Sequence, residues 1–115
     1  MIFEVYRIVI LVSKYIVPKG YLGITLFPFI FFRYKNLKHN RVLVNHEKIH
    51  LRQQLELLVL FFYILYVIEF LVRFIQNKKW HLAYRNISFE QEAYRNEKDF
   101  NYLKKRSFLG FIKYY

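Results

Sequence analysis

From about Val42 to about Gln76 the chain runs for some 35 residues without a glycine or a proline. Apolar side chains recur through it at helical spacing, so the whole run reads as helix. At 1.5 Å per residue it would reach roughly 50 Å, which is too long to lie straight in so small a domain. A bend or break inside it is therefore expected. At 115 residues the chain is one domain, 1-115, and every other element must pack around this run.

The flanking segments are shorter. Pro18-Lys19-Gly20 is a break after Ile2–Val17, which reads as a short helix with Arg7 and Lys14 on its polar side. Tyr21–Arg33 is rich in β-branched and aromatic residues and reads as a strand. Pro28 confines that strand to an edge or a bulge, because proline cannot donate to a ladder. Tyr34–Asn40 is a polar connection, Asn77-Lys78-Lys79 ends the long run, and Trp80–Ile87 is a connection with some local structure. Ser88 and Gln91 have the spacing of a capping box and start a last helix. Lys104, Lys105 and Arg106 fall near the end of that helix, where positive charge suits the helix dipole. The fold class expected is mainly α, with a small β-hairpin or edge strand.

Charge and composition narrow the partners. Lys and Arg number 19 against 8 acids, a formal net charge of +11, and aromatics make up 22%. The basic residues are scattered rather than gathered into a stripe, so nucleic acid is not an expected partner. The apolar stretches Ile8–Val17, Tyr21–Phe32 and Leu57–Ile68 each fall short of the roughly 17–25 residues that a membrane span needs. Apolar surface with a strong positive charge points instead to attachment at an anionic membrane surface, with residues 1-17 as the membrane-associated helix. Without such attachment the chain reads as cytoplasmic. An AT-rich coding sequence accounts for much of the same composition, with Phe, Tyr, Ile, Lys and Asn rising as Ala falls.

Early in the long helical run stands His46-Glu47-Lys48-Ile49-His50, an HExxH. Four residues apart on a helix, the two imidazoles lie one turn above the other and can reach a single Zn²⁺. Glu47 projects to one side, placed to deprotonate a metal-bound water. With 4 His and 7 Glu in 115 residues, chance produces the pattern in about one such sequence in a hundred. The chain has no Cys, so the third ligand must be a carboxylate or imidazole further on. Ile87–Glu97 presents Glu90, Glu92 and Glu97 at a helix start, and His81 lies in the connection before it.

On these residues the stretch Gly20–Glu97 resembles a pared-down gluzincin metallopeptidase. It is most similar to the membrane-linked CAAX prenyl endopeptidases and the β-lactam-sensor zinc peptidases. Those families have an edge strand before the HExxH helix and a later glutamate helix of the form Glu-x-x-Ala-Asp. Glu90-Gln91-Glu92-Ala93-Tyr94 matches that register. The resemblance therefore implies a minimal zincin-like core, with His46, His50 and Glu90 as zinc ligands and Glu47 as general base. The activity it implies is hydrolysis of a peptide or protein substrate, and it also suggests that Gly23–Pro28 receives the substrate as an added strand. Tyr94 stands where the families favour Asp, a departure that Glu97 or Asn96 would have to make good. Glu92 is the runner-up ligand. Tyr84, His81 and Tyr94 are candidate oxyanion donors. Gln53 and Gln54, three and four residues after His50, lie on or beside the ligand face and read as solvated polar filler, with orienting a ligand as the alternative. The alternative is a catalytically silent, zinc-stapled module that binds a partner at the membrane.

Overall fold

The computed structural model describes residues 8–115. It is mainly helical with one small sheet: three strands, five α-helices and two short 3₁₀ segments follow one another along the chain. The strands are β1 (Val9–Val12), β2 (Gly23–Leu26) and β3 (Phe29–Phe32), in spatial order β1-β3-β2. β3 pairs parallel with β1, Ile10 opposite Ile30, and antiparallel with β2, Thr25 opposite Ile30.

Two expectations fail in this region. Residues 8–17 hold a strand and turns rather than helix, because β1 hydrogen-bonds to the side of β3 that the hairpin leaves open. The rest of the expected helix 1-17, residues 1–7, lies outside the described residues. Tyr21–Arg33 is not one edge strand but a hairpin that reverses at Phe27-Pro28, a cis peptide. Pro28 thus sits in the turn, where the ladder needs no donor from it, and β3 is free to be the central strand.

The long helical run is broken, as its length requires. α1 (Arg41–Glu56) and α2 (Leu60–Asn77) are separated at Leu57–Val59. Leu58 and Val59 there take φ of 56° and 59°, uncommon for any residue but glycine and most unusual for the β-branched Val59. Asn40 caps α1 by accepting from the Leu43 amide at 3.1 Å. A left-handed Lys78 ends α2. Trp80–Ile87 is more ordered than expected, since α3 occupies Trp80–Asn86.

The last helix is shorter than expected: α4 is Ser88–Asn96 and the single-turn α5 is Tyr102–Lys105. Asn45 anchors the break. Its side-chain amide donates to the carbonyls of Asn96, Glu97 and Asp99 at 3.3, 2.8 and 3.1 Å, holding the chain where it leaves the helix, while the Asn96 and Asp99 carbonyls also accept backbone amides in turns. Nor does the Ser88–Gln91 capping box form. Ser88 donates its amide and hydroxyl to Glu69 of α2, both at 2.6 Å, so the start of α4 is capped by another helix.

α1 is the centre of the molecule. One side packs on the sheet through Leu51, Ile30 and Phe32. The other side meets α4 through Ile49 and Ala93, which is fully buried. The small Ala93 side chain allows the two helices to approach closely. A third cluster joins Phe62 of α2 to Ile87 and Phe89.

α2 is long and apolar enough to cross a membrane by length and composition, with a mean hydropathy of 1.5 and only 11% of it buried. Read as sequence, the apolar run stops at Glu69. In the structure Glu69 turns inward to Ser88 and Arg73 turns inward to Glu69, at 3.6 Å, so neither charge interrupts the outer face.

Candidate metal centre

Helical spacing stacks His46 and His50 on the buried side of α1, with ring centroids 4.9 Å apart. α4 brings Glu90 against both. Nε2 of His50 lies 3.2 Å from Nε2 of His46 and 3.1 Å from Oε1 of Glu90, and His46 Nε2 lies 3.4 Å from the same oxygen. All three residues are at most 5% exposed. Among the described residues they form the one group of three or more His, Asp or Glu placed to hold a metal ion.

The remaining atoms of these side chains are committed elsewhere. His46 donates from Nδ1 to Glu97 Oε1 at 2.7 Å. His50 donates from Nδ1 to Gln53 Oε1 at 2.8 Å. Tyr66 donates to Glu90 Oε2 at 2.7 Å, leaving Oε1 turned to the histidines. With both Nδ1 atoms acting as donors, each neutral imidazole points a bare lone pair at the other and at a carboxylate oxygen. Such a convergence of electron pairs needs a cation between them.

Protons answer the same need. Burial opposes charging His46, but the hydrogen bonds to Glu90 and Glu97 prevail and push its pKa up to about 10. Burial likewise opposes charging His50, and the Glu90 carboxylate prevails there too, in the upward direction. Glu90 is held well below the usual carboxylate range, because His50 and His46 outweigh the cost of burying its charge.

The donor set also suits a metal. A tetrahedral site with metal–ligand bonds of about 2.0–2.1 Å has ligands about 3.3 Å apart, close to the 3.1, 3.2 and 3.4 Å measured here. Two imidazoles and a carboxylate are a combination that Zn²⁺ accepts.

Glu47 is buried beside the three, and its Oε1 accepts from the Thr25 hydroxyl at 2.8 Å. It lines two cavities that meet at the site. One, of about 440 Å³, is walled by α2 and β2 and is largely aromatic and aliphatic, with Phe62, Tyr66 and Phe70 in its lining. The other, of about 590 Å³, is more polar and includes His46, Tyr94 and Glu97. Tyr84 lines both. Burial and then the Glu90 charge push its hydroxyl pKa above the ordinary phenol value, which keeps it a donor.

Several sequence-based expectations change. Glu92 lies away from the histidines. It accepts from Tyr102 at 2.6 Å, from Gln53 at 2.8 Å and from Arg106, which also pairs with Glu56 at 2.7 Å. Arg106 is therefore a buried counter-ion, not a solvated charge at a helix end. His81 is exposed and outside the cluster, and Tyr94 packs on the His46 ring with centroids 4.4 Å apart. Of Glu97 and Asn96, it is Glu97 that bonds the histidine, whereas Asn96 holds Tyr114 at 3.0 Å.

Gln53 and Gln54 are not solvated filler, being 0% and 1% exposed. Gln54 donates to Thr25 O and accepts from Phe27 N, both at 2.8 Å, and Tyr63 also donates to Thr25 O. The length of β2 open to an added strand is correspondingly shorter than Gly23–Pro28. Spacing from His50 was the available signal for Gln53. Nothing local pointed to Tyr66 or Thr25, which meet their partners only across the fold; helical spacing offers Glu69 its partner Arg73 four residues on, but not Ser88. No family model, curated protein or solved structure matches this chain.

Proposed function

We propose that this chain is a zinc-dependent metallopeptidase, with His46, His50 and Glu90 as the metal ligands and Glu47 as the general base. The observation that carries the reading is the convergence of His46, His50 and Glu90 on one point, with Glu47 on the adjoining cavity wall. A bound Zn²⁺ lowers the pKa of water and polarises a carbonyl.

The chain's own residues do the rest. Glu47, oriented by Thr25, takes a proton from the attacking water and returns it to the leaving amine. Tyr84 offers a hydroxyl to the oxygen that gains charge. Tyr66 and Glu97 hold Glu90 and His46 in place. The aromatic cavity excludes water and takes an apolar substrate side chain, while the polar cavity continues the cleft on the other side of the site.

The test is metal content and turnover of a peptide library by wild type and by Glu47→Gln. Stoichiometric zinc in both, with turnover in wild type alone, supports the reading. Zinc in both, turnover in neither and unfolding on chelation point to the zinc-stapled module instead. A zinc-free wild type overturns both.

A further inference from the structure

We propose that the outward face of α2 seats in the headgroup–hydrocarbon boundary of an anionic lipid bilayer, with the helix axis in the plane of the membrane. This does not depend on the metal centre being catalytic.

The polarity of α2 is inverted for a helix facing water. Its charged residues, Glu69 and Arg73, are on the inner side, and Glu69 is 7% exposed. The outer side carries Ile64, Val67, Ile68, Leu71 and Ile75, between 45% and 74% exposed. At 100° per residue these outer positions, with Leu65 and Val72, cover roughly 160° of the helix surface. No charged residue falls within that arc. From Ile64 to Ile75 the apolar strip runs about 17 Å along the axis, more than the scattered apolar exposure of an ordinary surface.

The shape of the face favours lipid over a second copy of the chain. Two packed helices cover only a narrow seam on each other. A dimer through Ile64, Ile68, Leu71 and Ile75 would leave Val67 in water on one flank and Leu65 and Val72 on the other. Acyl chains cover the whole convex arc.

Spanning is disfavoured by the neighbours on the inner side. α3 and α4 carry exposed Arg85 and Arg95, which would enter the hydrocarbon along with α2. With the helix in the plane, only the outer arc is immersed.

The end of α2 matches a headgroup layer. Lys78 and Lys79 follow it, and Trp80, 62% exposed, packs on Phe70 at 4.7 Å between ring centroids. Lys19 shares a cavity lining with Trp80. Lysines beside a tryptophan suit anionic headgroups above an apolar layer, and the whole chain carries +11.

Trp80 is the only tryptophan, so it reports on this surface directly. The experiment mixes the full chain with phosphatidylcholine vesicles, with and without phosphatidylglycerol. It follows co-sedimentation and the quenching of Trp80 by brominated acyl chains. The expected result is binding that strengthens with phosphatidylglycerol, with Trp80 quenched. The triple variant Ile64→Gln/Ile68→Gln/Leu71→Gln should lower partitioning by more than about tenfold, with unchanged circular dichroism. Quenching in wild type is read independently of that variant. Absence of binding, binding without quenching, or a lipid-free dimer that the triple variant dissolves would each overturn the proposal.

Discussion

Gln53 receives the Nδ1 proton of His50, one turn earlier on the same helix, across 2.8 Å. Its amide cannot turn round. The NH₂ end donates to Glu92 Oε1 at 2.8 Å and to the Phe89 carbonyl at 3.1 Å, both of them acceptors only. The other oxygen of Glu92 is paired with buried Arg106. The amide oxygen must therefore face His50, Nδ1 must be the donor, and Nε2 is left with its lone pair towards Glu90. A chain of fixed donors and acceptors thus reaches from the C-terminal segment to the His50 nitrogen that faces Glu90.

Gln53→Ala removes that orienting acceptor, and Glu92→Gln removes the constraint on the Gln53 amide. Each is expected to weaken zinc binding by about 10–100-fold, the usual effect of losing an outer partner of a ligand. Competition against a chromophoric chelator measures it. Affinity equal to wild type in both variants, with the fold intact, would show that the His50 tautomer is set by something else.

Protons and zinc compete for the same lone pairs, and the sign follows from His46. Its pKa is raised from 6.5 to about 10, so the stability it lends the metal-free protein is complete below 6.5 and is lost as pH rises through about 10. Thermal melts in chelator should fall across that window, and melts in saturating zinc should not, because the bound imidazoles are already neutral. Over the same range zinc affinity should rise with pH by up to about tenfold per unit for each proton displaced. A metal-free melting temperature that is flat across the window contradicts the assignment.

Arg106→Ala leaves Glu92 and Glu56, 0% and 5% exposed at the side chain, without their shared cation. Breaking a buried ion pair from one side costs about 3–5 kcal/mol. The urea midpoint should drop accordingly at an unchanged slope. The loss should exceed that of Lys105→Ala, whose pair with Asp99 is exposed.

Glu69→Ala strips the acceptor from the Ser88 amide and hydroxyl at the start of α4. A cost of about 1–3 kcal/mol is expected, the range for a buried donor left unmet. Hydrogen exchange at the first turn of α4, the turn that presents Glu90, should accelerate more than exchange in the sheet.

What could be read in the chain follows the range of the interactions involved. The HExxH spacing needed only one turn of helix to bring His46 and His50 together, so it was legible. The break between α1 and α2 was legible as a necessity of length, though not its position at Leu57–Val59. The strand at residues 9–12 was not, since an apolar run this short is helix or strand according to what it meets, and here it meets β3.

A mainly helical chain, a histidine pair on one helical face and a set of acids from which a third ligand could come are all legible in the residue order, because these rest on local spacing. Which of Glu90 and Glu92 faces the histidines follows from how α4 packs. Both lie on α4 and both are buried, but they leave the helix about 200° apart. One faces α1 and α2, and the other faces Arg106. Tertiary packing also turns Glu69 and Arg73 inward. Helical spacing brings near neighbours together, but which buried carboxylate meets a histidine and which meets an arginine depends on helices distant in sequence.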